Sequence, residues 1–284
     1  MKKYDLHVHS SASDGELSPS ELIAKAAKQD IAVIALTDHD TVSGCVEAAA
    51  EAKKQSINFI PGIEITGKEK DKLHILGLGL DFSNSELISE MTKCAEARLK
   101  RTYDICNALR EMGAILDPEI INSSVRGNVG KPHIAKELMK KGYADSVADA
   151  FGKYLTDPRI TAIEKYELGY AFAIDLIHKA GGLAVLAHPY QMKLTDRELD
   201  SFLGALKESG LDGIECWYSL YTTEMTEQYL KLAEKHDLLV SLGSDYHGDT
   251  VKPDIKLWKG KNDSIIRQRE LFPFECERCI LNKL

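Results

Sequence analysis

The sequence predicts an α/β fold in which seven mostly parallel strands close into a barrel or form an open sheet. Strand-length apolar runs alternate with amphipathic helical segments over residues 1–82 and again over 170–250, as in repeated β–α units. The stretch 83–169 is mostly helical, which indicates an insertion carried by the α/β domain. No Gly-x-Gly-x-x-Gly follows the first strand and no Walker-type loop is present, which disfavours the nucleotide-cofactor folds.

The first 82 residues contain four predicted strands, Tyr4–His9, Ile31–Thr37, Asn58–Thr66 and Leu73–Leu80. Ser18-Pro19-Ser20-Glu21 has the pattern of a capping box with proline at the first helical position, and its helix should run to about Gln29. A second, Ala-rich helix is expected over Val42–Gln55.

The charged turn Gly67–Lys72 separates the third strand from the fourth. A hairpin at this turn would make the fourth strand locally antiparallel. Glu64 and His74 are equidistant in sequence from Glu69, the middle of the turn. We therefore expect their side chains to lie level with each other at one rim.

After residue 82, Ser83-Asn84-Ser85-Glu86 predicts a second capping box, which begins a helix to about Met112. Further helical segments are expected over 118–122, 132–141 and 147–154. Alternation then resumes with three strands, Leu183–Ala187, Gly213–Cys216 and Leu239–Ser244, and three helices, Ala171–Ala180, Thr195–Ser209 and Thr223–His236. The tail 251–284 is expected to be irregular.

Composition excludes several classes of protein. The 284 residues are 44% hydrophobic and 28% charged, which is ordinary for a globular chain. A net charge of −8 makes duplex DNA binding unexpected, because such affinity comes from neutralising phosphates. No apolar run approaches the roughly 20 residues of a membrane helix, and residues 1–5 lack a signal-peptide core. Six scattered cysteines predict reduced thiols and a cytoplasmic location, and Cys276-x-x-Cys279 lacks a second pair to complete a zinc site.

Ligand-type side chains follow most of the predicted strands. They are Asp5, His7 and His9 in the first strand, His39 after the second, Glu64 in the third, His188 after the fifth, and Asp245 and His247 after the last. The carboxyl ends of parallel barrel strands form one face, so these groups should meet there. Imidazole and carboxylate ligands suit Zn²⁺, Mn²⁺ or Fe²⁺. A single pair of surface histidines is common, but convergence from five strand ends favours a metal site.

Five segments resemble motifs of the PHP (polymerase and histidinol phosphatase) family. They are Asp5-Leu6-His7-Val8-His9-Ser10, Asp14-Gly15, Thr37-Asp38-His39, Ala187-His188-Pro189 and Asp245-Tyr246-His247. Glu64 and His74 match the remaining metal positions of that family. The resemblance covers residues 1–80 and about 170–250. It implies a distorted seven-stranded β/α (TIM-like) barrel with a three-metal phosphoesterase centre.

The resemblance also implies a ligand set for each of three divalent ions, whether Mn, Fe or Zn. The sets are His7, His9, Glu64 and Asp245 for the first ion, Glu64, His74 and His188 for the second, and Asp14, His39 and His247 for the third. Asp5 would orient a ligand imidazole. A phosphoryl group suits the positive charge of such a site. We expect in-line attack by a metal-bridging hydroxide, with the third metal, His188 or His247 assisting the leaving oxygen.

The insertion is the best guide to substrate. Leu73–Asp81 followed by the stretch 83–169 resembles a PHP subgroup of nucleoside 3′,5′-bisphosphate phosphatases and 5′→3′ exonucleases of short RNA. The insertion of that subgroup carries a Gly-Arg-Pro-His motif, which corresponds here to Gly130-Lys131-Pro132-His133. The lysine has a point charge, whereas the arginine guanidinium can bind two oxygens side by side. Lys131 and His133 are therefore candidate phosphate contacts, unless Pro132 simply starts a helix.

Weaker candidates for substrate contact are Arg126, Arg159, Tyr190 and Lys193, while Trp217 and Tyr218 either stack on a base or pack in the core.

Three functions are compatible with these features. The first is a phosphatase or exonuclease of nucleotides or short RNA. The second is a hydrolase of a small metabolite, such as histidinol phosphate or a cyclic ribose phosphate. The third, a non-catalytic metal-binding module, is disfavoured because every ligand position is present.

Overall fold

The computed structural model describes residues 1–124 and 129–284. Two compact units are present, one formed by residues 1–88 and 168–284 and the other by residues 89–167. The first unit thus includes residues 251–284 together with the strands. Within the described ranges, no helix has the length and apolar character needed to cross a membrane.

Seven strands of the first unit form one sheet in chain order. They are β1 Tyr4–Val8, β2 Val33–Leu36, β3 Asn58–Thr66, β4 His74–Leu78, β5 Leu183–Leu186, β6 Gly213–Tyr218 and β7 Leu239–Gly243. All neighbouring pairs are parallel except those of β4, which is antiparallel to β3 and β5. The sheet closes on itself because the Asp245 N–H donates to His7 O (2.8 Å) and the His9 N–H donates to Tyr246 O (2.9 Å). The predicted β/α barrel with a locally antiparallel fourth strand is confirmed.

The β3–β4 hairpin differs from the prediction in register. Thr66, rather than Glu64, lies opposite His74, and Glu64 lies opposite Leu76. The Gly67 N–H donates to Leu73 O at 2.9 Å, which centres the turn on Lys70 and not on Glu69. The offset is two residues, so Glu64 and His74 still point to the same side of the sheet.

Six helices of the first unit are α1 Pro19–Lys28, α2 Cys45–Gln55, α8 Tyr170–Lys179, α9 Asp196–Glu208, α10 Thr223–Lys235 and α11 Ser264–Leu271. The capping box of α1 is present, since the Ser18 side chain accepts from the Glu21 N–H and the Glu21 carboxylate accepts from the Ser18 N–H. The apolar faces of α1 and α2 pack on β1 and β2 through Leu22, Ile23 and Ala48.

Five more α-helices within the described residues are α3 Ser85–Glu111, α4 Pro118–Ser123, α5 Lys131–Lys140, α6 Val147–Ala150 and α7 Pro158–Thr161, with a π turn at Phe151–Leu155. The cap of α3 is Asn84, whose Oδ1 accepts from the Leu87 N–H at 3.0 Å. The predicted Ser83 instead donates its hydroxyl to Asp81. The second unit has its own core, in which Ile105, Leu109 and Leu138 are buried.

The C-terminal tail is more regular than expected. Besides α11 it contains a two-stranded ladder of β8 Ile255–Lys256 and β9 Gly260–Lys261. Arg269 donates to Lys2 O at 2.9 Å, and the Trp217 indole N–H donates to Phe272 O at 3.1 Å. These contacts join the tail to β6 and to the residues just before β1. They link residues far apart in sequence, and local patterns do not reveal them.

Candidate metal centre

The nine predicted ligand positions lie together at one end of the barrel. His7 and His9 come from the end of β1, Glu64 from β3 and His74 from the start of β4. The others stand on loops that follow β1, β2, β5 and β7, namely Asp14, His39, His188, Asp245 and His247. The antiparallel direction of β4 explains why its first residue, and not its last, reaches this rim.

Glu64 occupies the middle of the cluster. Its Oε1 lies 2.8 Å from His74 Nδ1 and 2.8 Å from His188 Nε2. Those two nitrogens are 3.4 Å apart. Three ligand atoms at such mutual distances are suited to one cation.

The second oxygen of Glu64 faces three more imidazoles. Oε2 lies 3.1 Å from His39 Nδ1, 3.2 Å from His9 Nε2 and 3.3 Å from His7 Nε2. One carboxylate therefore has imidazole nitrogens next to each of its oxygens, an arrangement that suits a bridge between cations.

Asp245 is held on one side and faces the cluster on the other. Its Oδ2 accepts from the Tyr218 hydroxyl (2.6 Å) and from Lys252 Nζ (2.8 Å). Its Oδ1 lies 3.4 Å from His9 Nε2 and 3.2 Å from His247 Nδ1. Tyr218 and Lys252 thus leave one oxygen of Asp245 for the centre.

Asp14 defines a third edge of the cluster. Its Oδ1 lies 3.3 Å from His247 Nε2 and 3.6 Å from His9 Nδ1, and its Oδ2 lies 4.0 Å from His39 Nε2. The neighbouring carboxylate of Asp38 fixes this loop, because it accepts hydrogen bonds from Ser10 and Ser13.

Among the residues that the structure describes, potential ligand atoms form four groups, each with all its atoms within 4.8 Å of one another. The groups are His9, Asp14, His39 and His247; His7, His9 and Asp245; His7, Glu64 and His188; and His39, Glu64 and His74. His9 belongs to two groups, and its Nδ1 lies 3.6 Å from Asp14 Oδ1 while its Nε2 lies 3.4 Å from Asp245 Oδ1.

The unsatisfied polar atoms support metal ligation. His7 Nε2, both ring nitrogens of His9 and Glu64 Oε2 are buried and make no hydrogen bond within the described residues. They approach each other closely, yet not in hydrogen-bond geometry. Burying such atoms without partners is costly, whereas lone pairs directed at a common centre suit a cation. The residues present therefore fit divalent metal ions.

The carboxyl and imidazole groups strongly perturb one another. Burial opposes ionisation of Glu64, but His39, His74 and His7 outweigh it and hold the pKa of its carboxyl well below the usual range. Burial disfavours the charged form of His9 too, but the Asp245 and Glu64 carboxylates raise its pKa to about 9. Carboxylates kept ionised in a buried site are suited to bind cations, which take the place of protons.

Glu215 is a functional candidate that sequence reasoning missed. It is fully buried in β6, with Oε1 3.2 Å from His7 Nδ1 and Oε2 accepting the His188 backbone N–H at 2.8 Å. The contact with Nδ1 leaves His7 Nε2 to face Glu64. A glutamate inside the apolar run Gly213–Tyr218 was the available signal, because an unpaired charge is not buried in a strand without reason.

Asp5 does not make the expected contact with a ligand ring. Its carboxylate accepts from the backbone N–H and hydroxyl of Ser244 and from the Trp258 N–H. Burial raises the pKa of Asp5 to about 6. Asp5 thus fixes the backbone just before Asp245, and Glu215 makes the ring contact that was expected of Asp5. The strand periodicity indicated the correct side of β1 but not the acceptor nearest the ring.

The candidate substrate residues of the second unit have partners of their own. Lys131 Nζ donates to Leu155 O at 2.8 Å, and His133 Nδ1 accepts from the Gly130 N–H at 3.0 Å. Arg159 is engaged by Asp157 through two hydrogen bonds of 2.8 and 2.9 Å. Arg159 as a phosphate ligand stays a prediction. Arg126 lies outside the described residues.

In the first unit, Tyr190 is half-buried and its ring contacts those of Tyr218 and Tyr221, while Lys193 is exposed in a left-handed conformation. Trp217 is fully buried against Phe274, so it is a packing residue and not a surface for a base. The neighbouring Tyr218 donates its hydroxyl to Asp245 of the ligand cluster instead.

A closed α/β barrel with imidazoles and carboxylates converging at one rim defines a metal-dependent hydrolase. Residues 5–231 match the model of the family described as PHP domain. The chain belongs to the PHP domain family, as its motifs predicted.

Known relatives carry the assignment to phosphate esters. The 5′-3′ exoribonuclease of Haemophilus influenzae is 34% identical over 247 residues, which cover 87% of this chain and 90% of that protein. The 3′,5′-nucleoside bisphosphate phosphatase of Chromobacterium violaceum is 32% identical and covers 87% of this chain and 88% of its own length. A solved structure from Bifidobacterium adolescentis, described provisionally as a metal-dependent phosphoesterase, is 30% identical with a TM-score of 0.75 and covers 94% of this chain and 96% of its own. The protein is accordingly a metal-dependent phosphoric ester hydrolase.

Proposed function

We propose that this phosphoesterase hydrolyses a phosphate ester of a nucleotide, either a nucleoside 3′,5′-bisphosphate or a short 5′-phosphorylated RNA. The observation that carries the proposal is the cluster of ligand-type side chains around Glu64 and Asp245. It occurs in a chain whose relatives are named for RNA and for nucleoside bisphosphates.

We assign three divalent ions to this cluster. The ligands would be His7, His9, Glu64 and Asp245 for the first, Glu64, His74 and His188 for the second, and Asp14, His39 and His247 for the third. One neutral imidazole can offer one lone pair, so His9 would hold the first ion through Nε2, while its Nδ1 faces Asp14. The ions supply activation of water as a nucleophile and neutralisation of charge on the phosphoryl group.

The protein side chains determine charge and orientation. Asp14, Glu64 and Asp245 are three carboxylates facing three divalent ions, which leaves a positive site that favours a phosphate dianion. His247 Nδ1 is 2.9 Å from Asp245 O, and its Nε2 faces Asp14. His188 Nε2 is engaged by Glu64. Both rings are therefore expected to hold ions rather than to donate a proton themselves to the leaving oxygen.

The test is phosphate release by the purified, manganese-supplemented protein. The panel contains adenosine 3′,5′-bisphosphate, a short 5′-phosphorylated RNA, histidinol phosphate and a cyclic ribose phosphate. Turnover of either of the first two at the highest kcat/KM supports the proposal. Preference for a sugar or amino-alcohol phosphate would retain the metal centre and overturn the nucleotide assignment.

A further inference from the structure

Two cysteines of the C-terminal tail, Cys276 and Cys279, lie outside the ligand groups of the metal centre. They are the first and last residues of a turn, because the Cys279 N–H donates to Cys276 O at 3.1 Å. Such a turn brings the Cα atoms of its end residues to within about 7 Å of each other. A disulfide spans about 4.4–6.8 Å between Cα atoms. The backbone of this turn is therefore compatible with a bond between the two sulfurs.

The turn is held in place by further hydrogen bonds. Asn282 Nδ2 donates to Cys276 O at 3.1 Å, and the Asn282 N–H donates to Cys279 O at 3.0 Å. Between the two cysteines, Arg278 O accepts from the N–H of Val240 in β7 at 2.9 Å. These bonds are present while both thiols are reduced, so joining the sulfurs costs little further chain entropy.

The two thiols differ in their access to solvent. Cys276 is exposed, whereas Cys279 is only 3% exposed. An exposed thiol next to a buried one is the arrangement in which the first reacts with a reagent and the second resolves the adduct.

The remaining four cysteines are protected. All of them lie among the described residues and are buried, namely Cys45, Cys94, Cys106 and Cys216. Burial raises the pKa of the Cys45 thiol to about 12 and that of the Cys106 thiol to about 11. A buried, protonated thiol is a poor nucleophile, so Cys276 is the cysteine that an external reagent meets first.

The surroundings of Cys279 favour reaction in that order. Burial raises the pKa of its thiol, and the negative charges of Cys276 and Glu275 raise it too, while the Leu281 backbone N–H and the Arg269 guanidinium oppose the rise. Once Cys276 is bonded to another sulfur it has no charge, and its repulsion of a Cys279 thiolate disappears. The second thiol therefore ionises more readily after the first has reacted.

We propose that Cys276 and Cys279 form a redox modification site, at which a low-molecular-weight disulfide such as oxidised glutathione converts the two thiols into an intramolecular disulfide that fastens the tail to β7. The Cys276 thiolate attacks one sulfur of the reagent and expels one thiolate, which leaves a mixed disulfide on Cys276. The Cys279 thiolate then attacks the Cys276 sulfur and expels the second thiolate. Two electrons pass from the protein sulfurs to the reagent, and the two thiol protons pass through solvent to the released thiolates.

The experiment treats the full-length, metal-loaded protein with oxidised glutathione, then counts thiols and maps linked peptides by mass spectrometry. The wild type is expected to lose two thiols and the mass of two hydrogen atoms, to retain no glutathione, and to yield a link between Cys276 and Cys279. Cys276→Ser should lose thiols at least about tenfold more slowly, because its other cysteines are buried. Cys279→Ser should keep one glutathione on Cys276, since the resolving thiol is missing.

The matched control is Cys94→Ala, because Cys94 is buried in the other unit, and this variant should react as the wild type does. A stable glutathione adduct on Cys276 of the wild type would overturn the proposal. A link from Cys276 to Cys216, or no reaction at all, would overturn it as well.

Thermal unfolding tests whether the disulfide forms in the folded turn. Oxidised wild type should have a higher Tm than the reduced protein, because the cross-link restrains the unfolded chain around Arg278. Dithiothreitol should restore both thiols and the original Tm, and Cys276→Ser should have the same Tm with and without the reagent. An equal or lower Tm after oxidation would mean that the bond does not fasten the tail, contrary to the proposal. Failure to hydrolyse any nucleotide would leave both measurements unaffected, so this proposal and the proposed function fail separately.

Discussion

The carboxylate of Glu215 lies 3.2 Å from Nδ1 of His7 and thereby determines which nitrogen of that ring faces Glu64 and the other candidate metal ligands. The same carboxylate accepts the backbone N–H of His188, whose φ of 25° is unusual for a residue with a side chain. One buried group therefore positions two candidate ligands from different strands.

Replacement of Glu215 by glutamine should weaken metal binding by about 10–100-fold, the usual effect of removing the partner of a metal-ligating histidine. The amide keeps the size of the side chain but loses the charge that polarises the His7 ring. The measurement is metal content after dialysis against increasing chelator. Glu208→Gln is the control, because Glu208 is exposed at the end of α9. Equal metal retention by both variants would remove the positioning role from Glu215.

His9→Ala should reduce metal-dependent phosphate release by more than about a hundredfold, because His9 Nε2 lies beside Glu64 and Asp245, the two carboxylates assigned with it to the first ion. His178→Ala is the matched control, since His178 pairs with Asp212 at 2.8 Å on the surface of the barrel unit. Its activity should stay within about twofold of the wild type. Rates for a manganese-supplemented His9→Ala protein close to those of the control would contradict the three-ion assignment.

Gly243→Ala should destabilise the protein by more than about 4 kcal/mol, at the severe end for single substitutions. An added Cβ would lie 2.1 Å from His7 Cβ and 2.7 Å from Glu215 Oε1. Neither neighbour can withdraw without breaking the contact between them. The check is urea unfolding, with Gly152→Ala as control because nothing lies within 4 Å of its added Cβ. Similar unfolding midpoints for the two variants would mean that β7 can move away from β1.

Removal of metal should lower Tm, because ligand atoms such as His7 Nε2 and Glu64 Oε2 are then left buried without partners. The measurement is thermal unfolding before and after chelation, followed by addition of Mn²⁺. Recovery of both Tm and activity is expected. A chelated protein with unchanged Tm would indicate that the barrel does not need the ions for stability.

The sequence predicted the barrel and the rim residues because both depend on local patterns. A buried strand followed by a polar loop is visible within ten residues, and His7 and His9 show their common side through a period of two. The predicted register of β3 against β4 was wrong by two residues, because the register depends on how the turn after Gly67 closes.

Contacts between distant segments could not be predicted in this way. Glu215 and His7 are separated by 208 positions, and nothing near either residue specifies the other. The ring contact expected of Asp5 but made by Glu215 has the same origin, since both carboxylates are buried, Asp5 in β1 and Glu215 in β6, and only the packed barrel shows which one reaches His7. The regular structure of the tail likewise depends on its contacts with β6 and with the residues just before β1.

Closure of the barrel between His7 and Asp245 has a consequence for biosynthesis. The loop after β7 supplies Asp245 to the first proposed ion and His247 to the third. A ribosome must therefore make nearly the whole barrel before either coordination sphere can be complete. Until then the nascent chain offers only the Glu64, His74 and His188 set in full, and only once β5 has emerged. Under the three-ion assignment, completion of the first and third ligand sets would thus be a late event in the life of this polypeptide, coupled to the arrival of its last barrel strand.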